Sequence, residues 1–257
     1  MLLCIDVGNS QIFGGVYDGE ELRATFRRTS NVRASSDEFG TFFRTVLREN
    51  GVDPAGVGEA AICSVVPDVV HSLRNAFRKY FRFEPFVLQP GVKTGLKIRY
   101  RNPLEVGADK IANAIGGVAR YPGRNLLIID LSTATTLCAV TKDKEYLGGI
   151  IAPGIHMSMA ALESNTARLP VVEIVRPQEI LGRSIIESIQ SGLYYGTLAT
   201  IRSFIAAVTE EHFADDRPVT IGTGGFGRLF EEEELFDAFI PELSLMGLRR
   251  AVELAMK

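Results

Sequence analysis

The densest apolar run in the second half of the chain, Leu126-Leu127-Ile128-Ile129, ends on Asp130 and passes into Leu131-Ser132-Thr133-Ala134-Thr135-Thr136, a stretch mostly of small and hydroxylated residues. The chain opens on the same succession: Leu2-Leu3-Cys4-Ile5, then Asp6, then Val7-Gly8-Asn9-Ser10. Asp130 follows Asp6 by 124 residues, nearly half of the 257. Beyond each turn stands a further apolar segment, Ile12-Phe13-Gly14-Gly15-Val16 in one copy and Leu137-Cys138-Ala139-Val140 in the other. Each copy predicts a β-hairpin with an acid at its mouth.

The intervening pattern repeats as well. Leu22 to Phe26 alternates like a third antiparallel strand, and Ser35-Ser36-Asp37-Glu38 caps a helix running to about Asn50-Gly51. Ala60 to Val66 reads as a buried strand. Pro67-Asp68 opens a helix with Val70, Leu73, Phe77 and Phe81 at spacings of three and four, and Pro85 to Leu88 is a strand. The second half predicts strands at 126–130, 136–142 and 145–151, a helix near 154–164 and a long helix from about Ile185. A strand at 219–221, a glycine turn and a closing helix from Leu245 to Ala255 follow. Along the long helix Ile189, Leu193, Ile201, Phe204 and Val208 keep helical spacing, and Gly192 and Gly196 predict close approach by a neighbouring backbone. A meander followed by alternating helices and strands, occurring twice, predicts an α/β protein of two domains, 1–120 and 121–257.

Composition narrows the function. The chain carries 28 Lys and Arg against 31 Asp and Glu, a net charge of −3 that gives no reason to expect nucleic acid. Arg27-Arg28 and Arg249-Arg250 read as solvated faces. Cys4, Cys63 and Cys138 lie in apolar strands with no metal-ligand spacing, so they read as small buried hydrophobes in a reducing compartment. No apolar run is long enough for a membrane span, and no basic segment precedes the apolar start; a soluble, unprocessed, cytoplasmic protein is expected.

The chemistry resides in the turns. Gly, Asn, Ser and Thr together expose backbone N–H groups and hydroxyls, a concavity suited to phosphate oxygens. A carboxylate beside phosphate is repelled, so Asp6 and Asp130 fit there if a cation or water lies between. The plain alternative, a pair of ordinary strand-to-turn junctions, is disfavoured by the recurrence at half-chain spacing. Gly222-Thr223-Gly224-Gly225-Phe226-Gly227 satisfies G-x-G-x-x-G, yet too little chain follows for a Rossmann unit. A turn admitting an adenine or its ribose, or a plain helix-leading turn, remains. In Glu105-Val106-Gly107-Ala108-Asp109-Lys110, small residues surround one acid near the boundary between the halves, the expected cleft. Asp109 there is either a base accepting the proton of an attacking hydroxyl or an acid favoured by a helix dipole. His71 and His212 read as surface residues and His156 as structural; Walker A and Ser-His-Asp patterns are missing.

Taken in order, these residues resemble the type III pantothenate kinases of the acetate and sugar kinase/Hsp70/actin superfamily, over essentially the whole chain. Asp6 to Ser10 is similar to the family's first phosphate motif and Asp130 to Thr136 to its second. Gly107-Ala108-Asp109 is similar to its substrate motif, Gly182-Arg183-Ser184 with Glu187 to Gly192 to a further signature, and Thr223-Gly224-Gly225 to its adenosine end. The resemblance implies two duplicated actin-like (ribonuclease H-like) domains, each a mixed five-stranded sheet flanked by helices, with the active site in the cleft between them. It implies a homodimer phosphorylating pantothenate from ATP, with Mg²⁺ and a monovalent cation, K⁺ or NH₄⁺. ATP would be bound by Asp6, Val7, Gly8, Asn9, Ser10, Gln11, Ile12, Phe13, Ser132, Thr133, Gly224 and Gly225. Pantothenate would be bound by Tyr100, Gly107, Ala108, Asp109, Lys110 and Ser184, with Asp109 as base. Asp130 would hold the monovalent cation, and Asp6 would lie near Mg²⁺.

Departures from the family pattern are Leu131 and Ser132 for Phe and Gly, Lys110 for Arg, Cys138 for Asp, and Ser10 and Ser184 for Thr. They leave open an actin-fold kinase for another small hydroxylated substrate and a nucleotide-binding regulator without catalysis. An NAD-dependent oxidoreductase ranks last.

Overall fold

A computed structural model of the chain describes every residue except Val32, Pro90, Ala167, Arg168 and Lys257. The chain forms two compact units, Met1–Arg120 with Leu243–Lys257, and Tyr121–Glu242.

In the first unit β1 (Leu2–Val7), β2 (Gln11–Asp18) and β3 (Glu21–Thr29) form the antiparallel meander, and β4 (Glu59–Ser64) and β5 (Phe86–Leu88) add in parallel. The order is β3-β2-β1-β4-β5. Between strands come α1 (Ser36–Glu49) and α2 (Pro67–Tyr80). The capping box at Ser35 is present, with Glu38 N–H donating to the Ser35 hydroxyl and Ser35 N–H to the Glu38 carboxylate. Alternation sends Leu3, Ile5, Val7 and Ile62 into a core with Phe39, Phe43, Leu73 and Phe77 from α1 and α2. Cys4, Asp6 and Cys63 therefore point to the opposite face. A two-residue strand, β6 (Lys97–Ile98), precedes α3 (Ala108–Arg120).

The second unit repeats this plan. Its meander is β7 (Leu126–Leu131), β8 (Ala134–Val140) and β9 (Glu145–Pro153). β10 (Val219–Thr223) and β11 (Ala238–Phe239) add in parallel beside β7, giving β11-β10-β7-β8-β9. Strand by strand these five follow the order of the first sheet, so the predicted duplication and the mixed sheets flanked by helices are present. The helices α4 (Ile155–Ser164) and α5 (Ile185–His212) cover the face bearing Leu127, Ile129 and Leu131. Asp130 again faces away.

The closing helix, α6 (Leu243–Ala255), differs from the expected division at 120/121, because it lies in the first unit, packed on α3, β1 and β4. Glycine makes that packing possible. A β-carbon on Gly247 would stand 1.8 Å from the Ala112 carbonyl oxygen, and one on Gly116 2.4 Å from that of Leu243. Leu243, Leu245, Leu248 and Ala251 are fully buried as a result. Of the basic pairs Arg27 is exposed as expected, whereas Arg28, Arg249 and Arg250 are half-buried. The Arg27 guanidinium lies 4.0 Å from the Phe13 ring centroid, Arg28 lies over Phe39 and Phe42, and Arg249 pairs with Glu253 and Glu20. Among the described residues none comes within 4 Å of a β-carbon placed on Gly192 or Gly196, where a neighbouring backbone was expected. Among the described residues no helix is long and apolar enough to cross a membrane.

Candidate active site

The first hairpin closes as expected, with Gly8 N–H donating to the Gln11 carbonyl at 2.9 Å. Asn9, Ser10 and Gln11 are exposed at its tip. The third strand braces it: the Ser30 hydroxyl donates to the Gly8 carbonyl and Ser30 N–H to that of Ser10. Cross-strand register lines up Arg27, Phe13, Asp6 and Cys63 on successive strands. Cys63 is fully buried, and its thiol donates to Asp6 Oδ1 at 3.3 Å. Burial, and then the charges of Asp6 and Asp109, push the Cys63 thiol well above its ordinary pKa, so it stays protonated.

Asp109 lies in the first turn of α3. Lys110 Nζ stands 3.2 Å from its Oδ2, with both side chains largely buried. Oδ1 folds back over Gly107, two residues earlier, where a β-carbon would come within 2.4 Å of it, so a larger residue there would push the carboxylate aside. Of the two sequence readings of Asp109, the structure shows the acid in the first turn of a helix. Tyr100 is half-buried, upstream of a turn that Asn102 caps through Leu104 N–H.

The second hairpin is tighter and drier. Ser132 N–H donates to the Ala134 carbonyl, and Thr133 is half-buried against Gly154, whose β-carbon would meet the Thr133 carbonyl oxygen at 2.2 Å. Asp130 is 8% exposed. The glycine turn comes directly against it. Gly224 has φ +90, and a β-carbon there would stand 2.6 Å from Asp130 Oδ1 and 2.5 Å from the Leu131 carbonyl oxygen, which accepts from Phe226 N–H. Gly225 has open space around it. Opposite Asp130 on β8, and so on the same face, is Thr136, 5% exposed with its hydroxyl lacking a hydrogen-bond partner. A buried carboxylate beside an unsatisfied hydroxyl oxygen is a donor set that fits a hard cation. Among the described residues no cluster of three or more His, Cys, Asp or Glu is able to hold a metal. A divalent ion would therefore depend on single carboxylates and on ligand oxygens.

Ser184 is the N-cap of α5, its hydroxyl accepting from Glu187 N–H at 3.2 Å while Arg183 N–H donates to the Glu187 carboxylate. It also lines an open cavity of about 680 Å³ with Leu162, Ile185 and Ile189. His71 and His156 are exposed and His212 is a half-exposed residue at the end of α5. In the sequence Cys63 reads as a small buried hydrophobe and Thr136 as the end of a motif, neither of them named as a site residue. Period-two alternation puts each on the face of its acid, but the pairing that makes them neighbours is visible only in the folded sheets.

Two parallel-extended meanders with acid-bearing hairpins define a member of the actin-like ATPase fold. MreB 5 of Spiroplasma citri, solved with AMPPNP, shares that fold at a TM-score of 0.51 and 12% identity, over 98% of this chain and 95% of that one. A Campylobacter jejuni protein described as a Baf family transcriptional activator superposes with a TM-score of 0.61 at 17% identity, over 98% of this chain and 97% of its own. The sequence narrows the class further. Residues 2–207 match the type III pantothenate kinase family, and the type III pantothenate kinase of Legionella pneumophila is 53% identical over 98% of both chains. The chain belongs to the type III pantothenate kinase family.

Proposed function

We propose that this protein transfers the γ-phosphoryl group of ATP to the hydroxyl of pantothenate, giving 4′-phosphopantothenate and ADP in the cytoplasm, the first step of coenzyme A biosynthesis. The observation that carries the reading is the buried Cys63 thiol donating to Asp6 behind the first polar hairpin, with Asp109 opening α3 in the same unit, in a chain of this family. Asp109 accepts the hydroxyl proton as the oxygen bonds to the γ-phosphorus and the bond to ADP breaks. Residues 6–13 with Ser132 and Thr133 hold the phosphates, and Gly224 and Gly225 the adenosine. Tyr100, Gly107, Ala108, Lys110 and Ser184 orient pantothenate. Asp6 would lie near Mg²⁺ and Asp130 would hold K⁺ or NH₄⁺, and these ions, when bound, would supply neutralisation of phosphate charge.

The working species is a homodimer. Supporting this, α5 and the segment before it expose Ile180, Leu181, Ile185 and Ile186, Leu181 by 80%, next to the unapproached Gly192 and Gly196. Initial rates of ADP release with pantothenate, with other polyols and with no acceptor test the activity. Release dependent on pantothenate is expected; nucleotide binding without acceptor-dependent release would overturn the reading.

A further inference from the structure

The row across the first sheet confines Asp6 from both sides. On β2 its neighbour is Phe13, covered in turn by the Arg27 guanidinium; on β4 it is Cys63, whose neighbour on β5 is Leu88. A carboxylate at a strand end rotates about two side-chain bonds, and its preference among rotamers is small unless something holds it. The ring offers only a surface. The thiol offers a donor aimed at Oδ1, in a position with no access to solvent. A buried thiol paired this way differs from Cys4, which lies two residues before Asp6 on the same face and has no hydrogen bond to either acid.

We propose that Cys63 is a positioning residue for Asp6, its thiol fixing the carboxylate orientation that the magnesium-bound nucleotide meets. The proposal rests on the phosphate-binding reading of Asp6. A packing residue and a positioning residue make opposite demands on substitution at this point. Packing asks for apolar volume, which Cys63→Val supplies and slightly exceeds. Positioning asks for a donor, which Cys63→Ser supplies at similar size with a shorter reach, and which neither Ala nor Val supplies. An O–H also donates more strongly than an S–H, so serine is expected to keep the function although it is the more polar replacement.

The test is calorimetric titration of the full-length protein with AMPPNP, with and without Mg²⁺, alongside melting temperature and Michaelis constants. Cys63→Ala and Cys63→Val are expected to weaken Mg²⁺-dependent AMPPNP binding by roughly 3- to 10-fold, the size of a lost hydrogen bond to a charged group. The KM for pantothenate should not move, and Cys63→Ser should bind within about twofold of the parent protein. Binding by Cys63→Val equal to the parent would overturn the proposal, as would Ser and Ala variants weakened alike in step with their melting temperatures. Asp6→Asn separates the two readings. If it binds Mg²⁺-AMPPNP normally, the role of Asp6 and this inference fall together; if it binds weakly while Cys63→Ala binds normally, only this inference falls.

Discussion

Asp6 ends its strand between a phenyl ring and a thiol, half-buried, beside a turn whose tip residues Asn9 to Gln11 stand in solvent. Asp130 ends its strand opposite an unsatisfied threonine hydroxyl, 8% exposed, with the Gly224 turn packed against its carboxylate. The two hairpins descend from one plan, strand for strand, yet one acid has a neutral donor holding it and the other is enclosed. The second acid is thus the more enclosed of the two, and the first stands nearer solvent. On the proposed function the duplication is put to two uses: the first hairpin would lie with Asp109 as base, and the second would carry charge compensation.

That division is broken most severely at Asp109. Asp109→Asn keeps the size and the contact with Gly107 but removes the proton acceptor. Turnover is expected to fall by roughly 10²–10⁴-fold with AMPPNP affinity unchanged, measured by steady-state rate and calorimetry. Near-normal turnover would take Asp109 out of the chemistry and leave the first unit with phosphate binding alone.

The second hairpin is tested at its acid. Activity is expected to rise with K⁺ or NH₄⁺ and little with Na⁺, at fixed ionic strength so that screening does not imitate a site. Asp130→Asn is expected to lose that response and roughly 10- to 100-fold of the rate, as befits removal of a charged ligand from a buried site. The corresponding Asp6→Asn should keep its K⁺ preference. Equal rates of the parent in Na⁺ and K⁺, with Asp130→Asn unaffected, would erase the contrast between the hairpins.

Much of this was legible before folding was considered, because a strand, an acid and a polar turn form a local signal and occur twice. The helix starts were equally local: Ser35 with Glu38, and Pro67 after a strand, each settle their own neighbourhood. What stayed hidden depends on distant partners. The amphipathic pattern of α6 announces a buried face without saying which sheet it covers; only the fit of Gly247 against Ala112 decides that. Cys63 reads as an apolar strand residue because its partner lies 57 positions away, across a parallel pairing whose register the sequence does not reveal. The two-residue strand β11 is too short to show any period at all. The glycines of α5 misled in the other direction, since their spacing matches a packing motif that none of the described residues fills.

The smallest expected effect sharpens the comparison at the turn itself. Ser132 stands where the resembling family has glycine, and its backbone conformation does not require one, for Ser132 is not among the residues of positive φ. Its N–H is spent on the Ala134 carbonyl at 3.2 Å, and its hydroxyl lies 3.5 Å from the same oxygen, too far for a strong bond. The side chain therefore adds little to the turn and leaves a β-carbon in a half-buried position beside Thr133, where phosphate oxygens would come closest to the backbone. In the first hairpin the equivalent crowding is relieved by Gly8, which carries no β-carbon. Ser132→Gly should make the second turn resemble the first and lower the KM for ATP by roughly two- to fivefold, the gain of one relieved close contact. Loss of backbone restraint in the glycine variant opposes this, at about 0.5–1 kcal/mol of stability, and would appear as a lower melting temperature. A KM that is unchanged or raised would show instead that the Ser132 hydroxyl is itself a phosphate ligand, and that the second hairpin grips the nucleotide by side chain where the first does so by backbone.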